Sequence, residues 1–243
     1  MQVYPKILES QEQKKFALLI DPDNCAADSL KSRIEYANKA KVDFIFVGGS
    51  LITKENLTAC LSKIRANTQI PILLFPGNGS HIHSNADAIL FLSLISGRNA
   101  DLLIGNHVHT APLIREMNLE AIPTGYMLVE SGRLTTAQYM SGSLPIPHNK
   151  PDVAMATAIA GEMLGLKAIY MDAGSGAQMP ISEEMIQRVK ENISIPLIVG
   201  GGIRDIQTAK KVARAGADII VVGNAIEENP QMIHEFADAI HQL

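Results

Sequence analysis

Five clusters of small and polar residues, each closing an apolar run, carry the groups best suited to chemistry. They are Asp21-Pro22-Asp23-Asn24, Gly48-Gly49-Ser50, Asp172-Ala173-Gly174-Ser175-Gly176, Gly200-Gly201-Gly202 and Gly223-Asn224. The glycine clusters suit a phosphate group. Backbone N–H groups reach phosphate oxygens only where no side chain intervenes, and a following helix adds the positive end of its dipole. GGGIRD and GNAIEE have that form. Glycines of this kind also make plain tight turns between strand and helix. Two clusters on successive runs, together with AGSGA, favour the phosphate reading. Asp21 at a run's end can hold a Mg²⁺ ion that neutralises a second phosphate. It can equally cap a following helix, a role open to Asp23, Asn24 and Asp28. Spacing alone leaves both roles open, and Ser50 by itself is commonplace.

Other chemistries find less support. His81-x-His83 and His107-x-His109 lack a third ligand, lie in loop-like sequence, and so make a poor zinc site. No GxSxG, GxxxxGK[ST] or early GxGxxG motif occurs, which argues against ordinary hydrolase, nucleoside-triphosphatase and dinucleotide chemistry. A net charge of −4 opposes a nucleic-acid partner, and with no tryptophan there is little for bases or sugars to stack on. Cys25 and Cys60 stand apart without a CxxC spacing and are expected as separate thiols of a reducing compartment. The start, MQVYPKILESQEQKK, has no apolar leader, and no run approaches the roughly 18 apolar residues of a membrane span. A soluble, cytoplasmic protein is expected. Met127, Met155, Met163 and Met171 read mainly as core filling, in part as lining for an apolar groove.

The elements that must position these clusters recur eight times. The runs are FALLID (16–21), FIFVGG (44–49), PILLFP (71–76), AILFLSL (88–94), AIPTGYML (121–128), AIYMDAG (168–174), PLIVGGG (196–202) and DIIVVGN (218–224). Most are continuously apolar, as strands covered on both faces are. Spacers such as SLKSRIEYANKA, SEEMIQRVKEN and IQTAKKVARAGA have helical composition. Eight alternations in 243 residues match the roughly 250 of one barrel. The expectation is a single (β/α)8 TIM-type barrel spanning residues 1–243, with its active site at the C-terminal ends of the strands. GNGSHIHSNAD, between Pro76 and Ala88, is too short and turn-rich for a helix, so the third helix is expected to be irregular or missing. Residues 131–165 are long for one connection: SGSLPIPHNKPD reads as a loop and VAMATAIAGEMLG as a helix.

The ordered series LLIDPD, FVGGS, PILLFPGN, GRNADLLIGNHV, IPTGYMLVESG, YMDAGSGA, VGGGIRD and IIVVGNAIEENP resembles the geranylgeranylglyceryl phosphate synthase family, and the second of its two broad groups more closely. The bacterial heptaprenylglyceryl phosphate synthases are a related branch. The resemblance implies Mg²⁺-dependent transfer of a geranylgeranyl or similar group from prenyl diphosphate to the C3 hydroxyl of sn-glycerol 1-phosphate. The product would be an ether-lipid precursor that partitions to a membrane. Matched by motif, Asp21 and Ser50 fall at the Mg²⁺–diphosphate positions. Tyr170, Met171, Asp172, Ala173, Gly174, Ser175 and Gly176 fall on the glycerol-phosphate segment. Gly201, Gly202, Gly223 and Asn224 fall on the phosphate loops. Asp172 stands where the family commonly has Glu, one methylene shorter, and is expected to orient or deprotonate the attacking hydroxyl, with Asp21 the second catalytic carboxylate. The family also implies a homo-oligomer and an absent third helix. Two rivals remain at this level: another phosphate-barrel enzyme such as a sugar-phosphate isomerase, and a non-catalytic binder of phosphate ligands.

Overall fold

The computed structural model describes every residue except 1, 26 and 55. Eight parallel strands close into a barrel in sequence order: β1 (Lys15–Ile20), β2 (Phe44–Gly49), β3 (Ile72–Pro76), β4 (Ala88–Leu94), β5 (Glu120–Leu128), β6 (Ala168–Asp172), β7 (Leu197–Gly200) and β8 (Ile219–Val222), with β8 pairing back to β1. Around them lie α1 (Tyr4–Leu8), α2 (Ala27–Lys39), α3 (Leu57–Asn67), α4 (Asn106–Glu116), α5 (Thr136–Ser141), α6 (Pro151–Met163), α7 (Glu183–Lys190), α8 (Ile206–Arg214), α9 (Asn224–Glu228) and α10 (Met232–His241). Local sequence fixes several helix starts. Ser182 accepts from Met185 N–H to begin α7, Asp205 from Thr208 N–H to begin α8, and Thr135 with Gln138 forms a capping box for α5.

The continuous apolar runs have their explanation in two cores. Alternate residues point inward, so Phe44, Phe46, Leu73, Leu90, Tyr170 and Ile198 fill the barrel. Their neighbours Ile45, Leu74, Ile89, Ile169 and Val199 pack outward against the helices. α1 closes the lower end. Val3 and Ile7 join the inner core, and the backbone N–H groups of Val3 and Tyr4 donate to the Glu120 carboxylate at the start of β5.

Between β3 and β4 no helix forms, as the composition of residues 77–87 anticipated. Two other expectations need correction. The sequence around His107 and His109 is helical rather than loop-like: a π-helical turn (Asp101–Gly105) runs directly into α4. Its turn-forming residues and the internal Pro112 mask the helix in sequence. Cys25 and Cys60 are not separate thiols but a disulfide, with their Cα atoms 5.9 Å apart. Pairing of β1 with β2 explains the encounter, because it brings the turn after β1 against α3.

Candidate active site

Two cavities open at the C-terminal rim and meet at Gly49, Ser50 and Phe75. One, of about 520 Å³, is walled by the loops after β6, β7 and β8, including Gly174, Ser175, Gly176, Gly201, Gly202 and Asn224. The other is an apolar groove of about 300 Å³. It uses inward residues such as Leu92 and Tyr126 but also Ile89 and Phe91, which face the helical side of β4. The groove therefore passes from the barrel mouth to the space that a third helix would fill. Three aromatic rings stand between the cavities. Phe75 stacks on Tyr170 at 4.9 Å between centroids, and Tyr126 meets both edge-on at 5.8 and 5.6 Å.

Asp172 lies at this divide. Its Oδ2 accepts from the Tyr126 hydroxyl at 2.6 Å and its Oδ1 from Gly174 N–H at 2.7 Å. Burial pushes its carboxyl above the ordinary carboxylate range, while these two bonds pull it back down. Burial likewise raises Tyr126 and Tyr170 well above an ordinary phenol, and the Asp172 charge adds to the effect. A carboxylate that is buried without a cation is a strong proton acceptor. Gly201 protects the arrangement. Its φ is +83°, and a Cβ there would lie 2.6 Å from Gly174 N and 2.7 Å from Asp172 Oδ1.

β6 alternation divides the segment from Tyr170 to Gly176. Tyr170 and Asp172 face the barrel interior, and Gly174, Ser175 and Gly176 line the polar cavity. Met171 and Ala173 pack into the outer core instead, so their side chains lie away from any ligand in that cavity. Ser175 donates to Asn224 Oδ1 at 3.3 Å, joining the loops after β6 and β8.

Asp21 caps a 3-10 turn, Pro22–Asn24, by accepting from Asp23 N–H at 2.9 Å. Its carboxylate lies beside Gly49. Asp21 borders the cavities through that glycine, whereas Ser50 lines both. Burial raises the Asp21 carboxyl, and the Asp23 charge raises it further against the lowering effect of Asp23 N–H and Lys54. Asp23 fastens the turn to the chain after β2 through Thr53 N–H, Thr53 Oγ1 and Lys54 N–H. The Asp28 side chain lies outside the described residues. Among the described residues no three His, Cys, Asp or Glu side chains gather as a metal shell. Mg²⁺ sites built with substrate phosphates require only one or two carboxylates. Asp21 supplies one carboxylate beside Gly49, the neighbour of Ser50, which is a donor set of that smaller kind.

His81 and His107 are both buried but serve separate local structures. His81 Nδ1 accepts from Gly77 N–H at 3.1 Å, and His107 packs edge-on to Phe91 at 4.3 Å in the apolar groove. Burial lowers both imidazoles below their ordinary value. The sequence clusters omitted three charged residues of the polar cavity, Arg133, Arg204 and Glu228. In the sequence Tyr126 is one residue of the fifth apolar run, AIPTGYML, with nothing to mark it. The β5–β6 register, pairing Tyr126 with Tyr170 and Leu128 with Asp172, would have placed its hydroxyl beside the acid.

Glycine loops after the seventh and eighth strands of a closed parallel barrel, beside a buried acid, define a phosphate-binding (β/α)8 enzyme. The chain belongs to the PcrB family, whose pattern matches residues 8–240. It is 52% identical to the geranylgeranylglyceryl phosphate synthase of Chitinophaga pinensis, over 94% of this chain and 90% of that protein. It is 50% identical to the synthase of the same name from Spirosoma linguale, over 95% of this chain and 93% of that one. The crystal structure of (S)-3-O-geranylgeranylglyceryl phosphate synthase from Thermoplasma acidophilum, in complex with sn-glycerol-1-phosphate, superposes with a TM-score of 0.92 at 34% identity, covering 100% of both chains.

Proposed function

We propose that the protein transfers a geranylgeranyl or similar group from prenyl diphosphate to the C3 hydroxyl of sn-glycerol 1-phosphate. The observation carrying this reading is the junction itself: a polar, glycine-walled cavity lined by Asp172 meets an apolar groove lined by Tyr126, whose hydroxyl donates to that acid. The polar cavity receives the glycerol phosphate. The groove takes the prenyl tail, with twenty carbons as the default length. Tyr126 fixes one oxygen of Asp172, and Gly174 N–H the other. Asp172 orients the glycerol C3 hydroxyl and takes its proton as the oxygen bonds to C1 of the prenyl chain. The C1–oxygen bond to diphosphate breaks, and diphosphate leaves with the electron pair. Holding both partners in one geometry supplies much of the acceleration. Asp21 and Ser50 would hold a Mg²⁺ ion whose charge, when bound, offsets that of the leaving diphosphate.

No described helix is long and apolar enough to cross a membrane. The apolar tail of the product would carry it into a bilayer by partitioning. The same reading includes a homo-oligomer, supported by exposed apolar residues on and beside α5: Leu134, Tyr139, Met140 and Leu144. The decisive experiment incubates purified protein with Mg²⁺, labelled twenty-carbon prenyl diphosphate and either sn-glycerol 1-phosphate or its 3-phosphate enantiomer. An extractable phosphorylated product formed only from the 1-phosphate, and lost with EDTA, is expected. No product with donors of fifteen to thirty-five carbons would overturn the reading.

A further inference from the structure

Arg133 belongs to none of the glycine clusters, yet it lies on the wall they share. It sits in the connection leaving β5, where the backbone is held on both sides. The Ser131 carbonyl accepts from Gln178 N–H and Met179 N–H, each at 3.1 Å, and Thr135 begins the capping box of α5. Between these fixed points Gly132 adopts φ +84°, and a Cβ there would come within 2.9 Å of Gln178 Oε1. The chain is thereby steered so that the guanidinium lies over the loop after β6. Gly176 adopts φ +71°, which favours glycine, and the Arg133 guanidinium packs over it with Nη2 standing where a Cβ would be.

This guanidinium has no hydrogen bond, ion pair or ring contact with another described residue. Arg204, the other arginine of the cavity, differs in donating to the Ala177 carbonyl at 2.7 Å. The cavity wall also carries Asp172 and Glu228, so the two arginines balance two acids before any ligand arrives. Glycine N–H dipoles can orient a phosphate, but they bring no full charge to meet it. A planar guanidinium brings both charge and a fork of donors matched to phosphate oxygens. Arg133 lines the polar cavity and not the apolar groove.

We propose that Arg133 clamps the phosphate of the glycerol phosphate, supplying the positive charge that the glycine loops lack. The proposal rests on the reading of the polar cavity as the glycerol-phosphate site, and it adds a specific anion ligand from the β5 connection. Arg133 binds and takes no part in the proton transfer.

The test is titration calorimetry of sn-glycerol 1-phosphate, and separately of inorganic phosphate, against the intact protein and its Arg133→Ala and Arg133→Lys variants. Hydrogen bonds to a charged group of this kind are worth roughly 10- to 100-fold in affinity. Arg133→Ala is expected to weaken both ligands by that factor, and Arg133→Lys to recover part of the loss by keeping charge without the fork. The melting temperature should not move, because Arg133 bonds no other described residue. In turnover, the KM for glycerol phosphate should rise while the KM for prenyl diphosphate stays constant. Undiminished binding of both ligands by Arg133→Ala overturns the proposal, as does a loss confined to prenyl diphosphate. If the unaltered protein binds inorganic phosphate but no glycerol phosphate, the functional reading fails. The clamp is then judged on phosphate alone.

Discussion

The two ends of the barrel treat their charged groups in opposite ways. At the lower end, Asp218 is fully buried and answered by Lys190 at 2.6 Å, Lys14 at 3.4 Å and Leu197 N–H at 2.8 Å. Asp43 is met by Lys15, His241 and Phe16 N–H. At the upper rim, Asp172 is buried with only a hydroxyl and one N–H, and Arg133 has no anion. Below, Asp218, Asp43 and Glu120 each have a cation or a set of backbone donors within the protein. Above, charge is left for a ligand to complete. The lower networks keep the strands in register, and the upper groups remain available for chemistry.

Three substitutions would break or sharpen this contrast. The largest effect is expected from Asp172→Ala, which removes the proposed proton acceptor and should lower kcat by about a thousandfold, within the usual range for a general base. Steady-state turnover measures it, and a variant within tenfold of the unaltered enzyme would take Asp172 out of the chemistry. At the opposite end, Asp218→Ala leaves Lys14 and Lys190 without their partner and should cost about 3 kcal/mol of stability. Urea unfolding reads that loss, while turnover per folded molecule should hold. Equal damage to turnover would erase the division of labour between the ends.

The smallest effect belongs to Tyr126→Phe. Loss of its 2.6 Å bond removes one of the two contacts that favour the charged form of Asp172, so turnover at neutral pH should fall about tenfold. The pH profile carries the sign. Burial raises the Asp172 carboxyl above its ordinary 3.8, so the ionised base is lost on acidification earlier than for an exposed aspartate. Tyr126→Phe should move that acid limb to still higher pH, and an unchanged limb would separate Asp172 from the rate. For stability the sign reverses. The contribution of Asp172 is fully present below 3.8 and is lost as pH rises through the raised value.

The strands were legible because a parallel sheet covered on both faces leaves long apolar runs, and their ends marked out the rim. The missing third helix was legible from too few residues and too many turn formers between Pro76 and Ala88. α4 was hidden by Pro112 and by a π-helical entry that carries no helical spacing. Among the site groups, the glycines stood out because backbone approach to a phosphate restricts residue type locally. Tyr126, Arg133 and the Cys25–Cys60 pair depend on neighbours distant in sequence, which only strand register and loop packing bring together. Met171 and Ala173 show the converse: a motif of seven residues matched as a block, two of which strand alternation turns away.

The short passage from β3 to β4 has a consequence for traffic. Because no helix follows β3, the groove runs on to the outer side of β4, where α4 brings His107 against Phe91 but the opposite flank is only the short loop of Gly77, Asn78, Gly79 and Ile82. A long flexible occupant can be laid into such a channel sideways, segment by segment, instead of being threaded end-first. It can peel away by the same route, each freed segment passing straight into whatever apolar phase lies alongside. Departure then becomes a property of the surroundings as much as of the protein, fast beside a bilayer and slow in open water.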